Sequence, residues 1–277
     1  MKKLEEIERE RLNVALVQMC STDDARKNFL HVQDAILTVA KNVDCVCFPE
    51  NTFYLRAEGE RIQWDPSLGK DILRVLSMLA EHEQTFIFIG SFPVRGETST
   101  KIFNTSLLFN PDGKIIARYE KIHLFDVTLP DGRTLFESRF VAPGKRIVTA
   151  SVRGWNLGLS ICYDLRFPEL YRKLRKKNAD VLMIPSAFTV PTGKDHWETL
   201  LRARAIENQC YVLAPAQTGK HSPTRESYGH SMVIDPWGKI IASAKDGEEI
   251  IYATLDDAII RGVREKMPCW ENRRLSV

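Results

Sequence analysis

The first 92 residues alternate between two periodicities, and few folds accommodate that alternation. Leu12–Met19 (LNVALVQM) is a short run of β-forming residues. Ala25–Lys41 follows, with apolar residues near helical spacing at Phe29, Val32, Ile36, Leu37 and Ala40. Val43–Pro49 (VDCVCFP) is strand-like again and stops at a proline. Asp71–Glu83 has a helical pattern, and Thr85–Phe92 (TFIFIGSF) is rich in β-branched and aromatic residues. Strand, helix, strand, helix, strand predicts an α/β fold in which helices cover a sheet.

Beyond residue 100 the rhythm changes. Asn110-Pro111-Asp112-Gly113 is a strong turn signal between two β-like runs, so a hairpin joins the sheet and the sheet is not purely parallel. Arg153-Gly154 predicts a second hairpin, between Ile147–Val152 and Trp155–Ile161. Asp235-Pro236-Trp237-Gly238 predicts a third, between Gly229–Ile234 and Ile240–Ala244. Helices are expected over Pro168–Lys176 and Asp195–Asn208, and strands over Ala179–Ile184, Cys210–Ala216 and Glu249–Leu255. That is enough strand for two packed sheets. Two stretches rich in Pro, Gly and polar residues, Asp126–Gly144 and Thr189–Lys194, read as open loops, which inside compact domains are often functional. No repeat or low-complexity linker interrupts the chain. All 277 residues therefore read as one domain with a charged N-terminal extension over about residues 1–11.

Composition removes several function classes. A formal net charge of +3 is too mild to argue for nucleic acid, and no Arg/Lys cluster is interleaved with aromatics as a binding face would need. Nothing approaches the apolar length of a membrane span, and MKKLEEIERERLN has no apolar stretch suited to a signal peptide. The six cysteines are scattered rather than framed at disulfide spacing, which suits a reducing compartment, read as the cytoplasm. Cys45 and Cys47 are expected to face opposite sides of a strand and so not to share a metal. With no C-x-x-C or H-x-x-x-H pattern either, no metal site is expected.

Three segments place an ionisable group directly after an apolar strand-like run. They are Val46–Phe48 leading to Glu50, Ile115–Tyr119 leading to Lys121, and Trp155–Ile161 leading to Cys162. Alone, each has a bland reading: Cys packs well in cores, Glu50 could cap a loop, and Lys121 could be a solvated strand end. Together, at one edge of a sheet, they could divide the labour of acyl transfer. The carboxylate takes the thiol proton, the thiolate attacks a carbonyl, and the ammonium neutralises the oxyanion. His123 is a possible Cys–His partner, but its place two residues after Lys121 favours a structural hydrogen bond.

Pro49-Glu50, Lys121-Ile122-His123-Leu124-Phe125 and Cys162-Tyr163-Asp164-Leu165-Arg166-Phe167-Pro168-Glu169 resemble, in order, the three signatures of the nitrilase, or carbon–nitrogen hydrolase, superfamily. The resemblance runs from about Leu12 to the C-terminal segment. SAFTVPTGKDHWETLLRARAIENQCYV, Gln217–His221 and Tyr228–Gly238 are similar to the Nit subgroup, nearest the branch acting on deaminated glutathione. The resemblance implies a four-layer α-β-β-α sandwich, usually a homodimer or higher homo-oligomer, with no cofactor. It implies an amidase acting on a small-molecule ω-amide through a thioester and releasing ammonia. The alternatives are an ω-amidase of 2-oxoglutaramate, acyl transfer, or nitrile hydrolysis with the same Glu-Lys-Cys triad. In this reading Glu50 is the base, Cys162 the nucleophile, Lys121 and the Tyr163 backbone N–H hold the oxyanion, and Glu137 orients the lysine or substrate. Phe188, Thr189 and Thr192 line the pocket. Arg166 either faces a substrate carboxylate or pairs with Glu169, the pairing slightly favoured.

Overall fold

The computed structural model describes residue 9 and residues 11–57, 60, 62–96, 101–128, 132 and 134–275. Most of the charged N-terminal extension lies outside the described residues. The first part of the chain runs β1 (Leu12–Gln18), α1 (Ala25–Val39), β2 (Cys45–Cys47), α2 (Pro66–Glu83), β3 (Phe86–Arg95), β4 (Ile102–Phe109) and β5 (Ile115–Glu120). A small hairpin, β6 (Asp126–Thr128) and β7 (Thr134–Phe136), precedes β8 (Thr149–Val152), β9 (Trp155–Leu159), α3 (Pro168–Lys176), β10 (Val181–Met183) and α4 (Val190–Asn208). The remainder is β11 (Tyr211–Ala214), β12 (Thr218–Ser222), β13 (Arg225–Tyr228), β14 (Met232–Ile234), β15 (Ile240–Ser243), β16 (Glu249–Leu255) and α5 (Asp257–Lys266).

The strands form two six-stranded sheets, ordered β16-β1-β2-β3-β4-β5 and β15-β14-β11-β10-β9-β8. Each has a parallel centre, β1-β2-β3 and β9-β10-β11, flanked by antiparallel neighbours. Strand alternation sorts the core into layers. Ala15, Val17, Val46, Ile87 and Ile89 face α1 and α2, where they meet Val32, Ile36, Ile72 and Leu76. Val14, Leu16, Phe88 and Tyr119 face the other sheet, whose outer side is covered by Leu170 and Leu174 of α3 and Trp197 and Leu201 of α4. Helix, sheet, sheet, helix is the expected four-layer sandwich.

Cys45 and Cys47 correct the expectation made for them. A strand repeats every two residues, so positions two apart share a face. Both thiols point into the layer between the sheets, with their sulfurs 3.7 Å apart.

Helix boundaries also moved. Helix α2 begins at Pro66 rather than Asp71, because the Asp65 carboxylate accepts from the Ser67 N–H and Pro66 suits a first turn. Helix α4 begins at Val190, so the expected open loop Thr189–Lys194 is largely its first turn. Pro191 is tolerated there, and a Cβ at Gly193 would lie 2.3 Å from Tyr228 Cβ. The other expected loop contains the β6–β7 hairpin. The β12–β13 hairpin and α5 were not anticipated.

Candidate active site

The directions of the strands decide where side chains can meet. Strands β2, β3, β9 and β10 share their sense with their parallel neighbours, and β5 is antiparallel to β4, which is itself antiparallel to β3. Residues leaving the carboxyl ends of β2, β5, β9 and β10 therefore emerge at the edge where open α/β sheets place ligands. They include Glu50, Lys121, Cys162 and Ala187.

Glu50, Lys121 and Glu137 form one buried ionic cluster. Lys121 Nζ lies 2.8 Å from Glu50 Oε1 and 2.9 Å from Glu137 Oε2. The side chains of Lys121 and Glu50 are 2% and 4% exposed, which removes the solvated strand-end and surface-cap readings. Burial alone would lower the lysine. The charges of Glu137 and Glu50 outweigh it and hold the ammonium well above the ordinary lysine value. Further donors reach both carboxylates. Asn104 Nδ2 donates to Glu50 Oε1 (2.9 Å) and Glu137 Oε1 (3.3 Å). The Ala187 N–H donates to Glu50 Oε2 (3.1 Å) and the Phe125 N–H to Glu137 Oε2 (2.7 Å). These contacts hold the buried cluster rigid, while Glu50 Oε2, with its one backbone donor, keeps room to accept a proton.

Cys162 opens the turn after β9 in a left-handed conformation, φ +49°, which a non-glycine residue adopts only where its surroundings impose it. Its N–H donates to Pro185 O at 2.9 Å. The thiol is within electrostatic reach of both Glu50 and Lys121. Burial, then the Glu50 charge, push it well above the ordinary cysteine value, while Lys121 and the Ala187 N–H pull the other way. The resting thiol is therefore protonated and has a carboxylate beside it to take the proton.

Asp164 explains how this turn is held. It is fully buried, and its Oδ2 accepts from the Ile161 N–H (2.9 Å) and the Tyr119 hydroxyl (2.7 Å). Its Oδ1 accepts from the His123 N–H (3.0 Å) and meets His123 Nδ1 at 2.7 Å. One carboxylate thus locks the cysteine turn to the segment that follows Lys121. His123 has the structural role expected of it, stacked on Phe167 with ring centroids 3.7 Å apart.

A cavity of about 960 Å³ opens above the cluster. Glu50, Lys121, Glu137, Cys162, Tyr163, Arg166, Phe188, Thr189 and Thr192 all line it, so every residue to which the family resemblance gave a site role reaches one space. Arg166 does not take up the favoured pairing with Glu169. Its guanidinium nitrogens lie 3.3 Å from His196 Nδ1, and its carbon sits 5.4 Å from the Phe188 ring centre. Asn104 was missed; in the sequence it is the first of three consecutive polar residues, Asn104–Ser106, within Ile102–Phe109. Gln217 Nε2 donates to Glu50 O at 2.9 Å and steadies the backbone under the carboxylate. Among the described residues no three His, Cys, Asp or Glu side chains gather to hold a metal ion, and no helix is long and apolar enough to cross a membrane.

The carbon–nitrogen hydrolase family model matches residues 13–265. The deaminated glutathione amidase of Synechocystis is 44% identical over 264 residues, 94% of this chain and 97% of its own. That of Mus musculus is 40% identical over 267 residues, 94% of this chain and 83% of its own. The solved structure of Saccharomyces cerevisiae Nit3, described as a member of branch 10 of the nitrilase superfamily, has a TM-score of 0.82. It is 33% identical and covers 98% of this chain and 99% of its own. Fold and relatives define the class, a nitrilase-type α-β-β-α sandwich. This chain belongs to the carbon–nitrogen hydrolase family, and it is an enzyme that hydrolyses carbon–nitrogen bonds.

Proposed function

We propose that this enzyme is an amidase for deaminated glutathione, with Cys162 as nucleophile and Glu50 as its general base. The observation that carries the reading is the buried meeting of the Cys162 thiol, the Glu50 carboxylate and the Lys121 ammonium under a cavity large enough for a tripeptide-sized molecule. The substrate follows from what the Synechocystis and Mus musculus relatives are named for.

Glu50 takes the Sγ proton as the thiolate attacks the amide carbon. The oxyanion is held by Lys121 Nζ and the backbone N–H of Tyr163. Glu50 returns the proton to the departing nitrogen, the C–N bond breaks, and a thioester remains. Water then enters, gives a proton to Glu50 and attacks the thioester carbon. Collapse of that intermediate releases the carboxylate and restores the thiol with the proton held on Glu50. Glu137 fixes Lys121, while Arg166, Phe188, Thr189 and Thr192 hold the acyl half. The expected ammonia is the leaving group only of a primary amide. The scissile amide of deaminated glutathione is substituted, so its leaving amine is cysteinylglycine and its acyl product is 2-oxoglutarate.

The same proposal includes a single catalytic domain, cytoplasmic residence and self-association. Exposed Ile206, which packs on Gly238, and exposed Trp237 lie where α4 meets the β14–β15 turn and are suited to a face between copies, and light scattering of the purified protein tests it. The function is tested by incubating the enzyme with deaminated glutathione and following 2-oxoglutarate and cysteinylglycine, with Cys162→Ala as control. Equimolar products from the wild type and none from the variant are expected. Turnover of 2-oxoglutaramate in preference would move the enzyme to the ω-amidase branch, and turnover by the variant would remove Cys162 as nucleophile.

A further inference from the structure

The cavity above Cys162 carries more positive charge than the reaction uses. Lys121 is matched by the two carboxylates that touch it. Among the described residues Arg139, Arg166, Lys220 and Arg225 also line the space, with Glu226 as the further acid. The whole chain has a formal net charge of only +3, so this is local concentration, and a cleft lined by one sign of charge gathers the opposite ion.

Arg139 is stacked on Phe136, and the other three cations stand in two places. Arg166 lies four residues past the nucleophile, against Tyr163 and Phe188, and belongs to the acyl half of the site. Lys220 and Arg225 belong to the β12–β13 hairpin, which is fastened to the site at several points. The Tyr228 N–H donates to Phe188 O at 2.9 Å, Thr189 bridges Ser227, and Arg225 Nη1 donates to Arg56 O at 3.1 Å. A guanidinium has five donors in a planar fork suited to a carboxylate, and the Arg56 carbonyl takes one of them. A half-buried arginine anchored in this way sits in the cavity wall as a fixed cation.

We propose that the Lys220–Arg225 end of the cavity is a subsite for a carboxylate at the far end of the leaving amine. The inference rests on the proposed amidase reading and extends it to the other half of the substrate. A dipeptide leaving group reaches at most about 7 Å when extended, so its terminal carboxylate lies well beyond the acyl carbon. The subsite makes the enzyme selective for amides whose leaving amine ends in an anion, and it sets a simple ammonia-releasing amide at a disadvantage.

The test uses two substrates that share the scissile bond, deaminated glutathione and the same molecule with its glycine carboxylate converted to a neutral primary amide. For the wild type, kcat/KM is expected to favour the free acid by about tenfold or more, chiefly through KM, since a charge-assisted contact is lost in the neutral analogue. In Arg225→Gln, and separately in Lys220→Gln, the preference should shrink towards one, and Arg225→Lys should restore part of it. Lys220 is exposed, so its variant keeps the test alive if Arg225→Gln loosens the hairpin. Equal turnover of the two substrates by the wild type, or an undiminished preference in both glutamine variants, would overturn the subsite alone. Hydrolysis of neither substrate, with 2-oxoglutaramate still turned over, would overturn the subsite and the deaminated-glutathione reading together.

Discussion

At the scale of single residues, the chemistry depends on keeping a thiol protonated until it is needed. An ordinary cysteine reaches half ionisation near pH 8.5. Cys162 is held well above its ordinary value, first by burial and then by the Glu50 charge, so its thiolate fraction at neutral pH is very small and keeps growing beyond that point. Alkylation of Cys162 by iodoacetamide, followed by mass spectrometry of the modified peptide, should therefore still accelerate above pH 9. A plateau near pH 8.5 would mean that the thiol titrates freely and needs no base. Asp164 is the other residue to test. It accepts four contacts from Ile161, Tyr119 and His123 while fully buried. Asp164→Asn turns one of the two acceptor oxygens into an NH2 donor that faces an N–H group, and should cost about 3 kcal/mol of stability. The cysteine turn should loosen with it, so kcat should fall more than KM rises. Unchanged urea melts and kinetics would show that the turn is held by its backbone alone.

Among the elements, the β12–β13 hairpin is where structure and function are most closely joined, because it carries cavity-lining residues and is pinned by His221. That imidazole is buried, with Nδ1 2.8 Å from Ser21 O and 3.5 Å from Cys20 Sγ, while Nε2 has no hydrogen-bond partner. Burial, with a smaller contribution from Arg225, pushes it down to about 4, against the raising effect of the Ser21 carbonyl. The unfolded chain protonates its histidine near pH 6.5, so between the two values the unfolded state binds the extra proton. Stability present at neutral pH is then lost as pH falls from about 6.5 to about 4, by about 3 kcal/mol for this one group. Urea melts at pH 7 and pH 4.5 should show that loss in the wild type and a smaller one in His221→Asn. Identical losses would remove His221 as the sensitive group. The hairpin was also the part least legible in the sequence. THR-GLY-LYS-HIS-SER and ARG-GLU-SER-TYR, Thr218–Ser222 and Arg225–Tyr228, are polar and lack strand alternation; they pair because neighbouring segments hold them. Glu50, Lys121 and Cys162 were legible because each ends an apolar run that itself marks a strand. Asn104 and Asp164 were not, since their partners lie 54 and 45 residues away in the chain and only tertiary folding brings them close.

For the molecule as a whole, the sandwich separates its two edges. The carboxyl ends of β2, β9 and β10 carry the site, and the opposite ends carry a second ionic cluster. Arg9 donates through Nε to Asp257 Oδ1 at 2.9 Å, pairs with Asp180 just ahead of β10, and lies 4.8 Å from the Trp155 ring centre at the start of β9. Burial would lower the guanidinium, but Asp180 and Asp257 outweigh it and raise it. The two acids keep other partners, Arg264 for Asp180 at 3.0 Å and Arg261 for Asp257 at 2.9 Å, so losing Arg9 does not leave a buried charge unpaired. Arg9→Ala should therefore cost about 2 kcal/mol, the worth of a charge-assisted contact plus its stacking on the tryptophan, and not the larger penalty of an orphaned ion. Because Arg9 sits at the far ends of β9 and β10, the strands that present Cys162 and Ala187, the melting temperature should drop by several degrees while kcat and KM remain at wild-type values. A fall in kcat in the folded variant would mean that strain at one edge of the sheets is transmitted along β9 and β10 to the other, and that the sandwich does not insulate its site as the layered core implies.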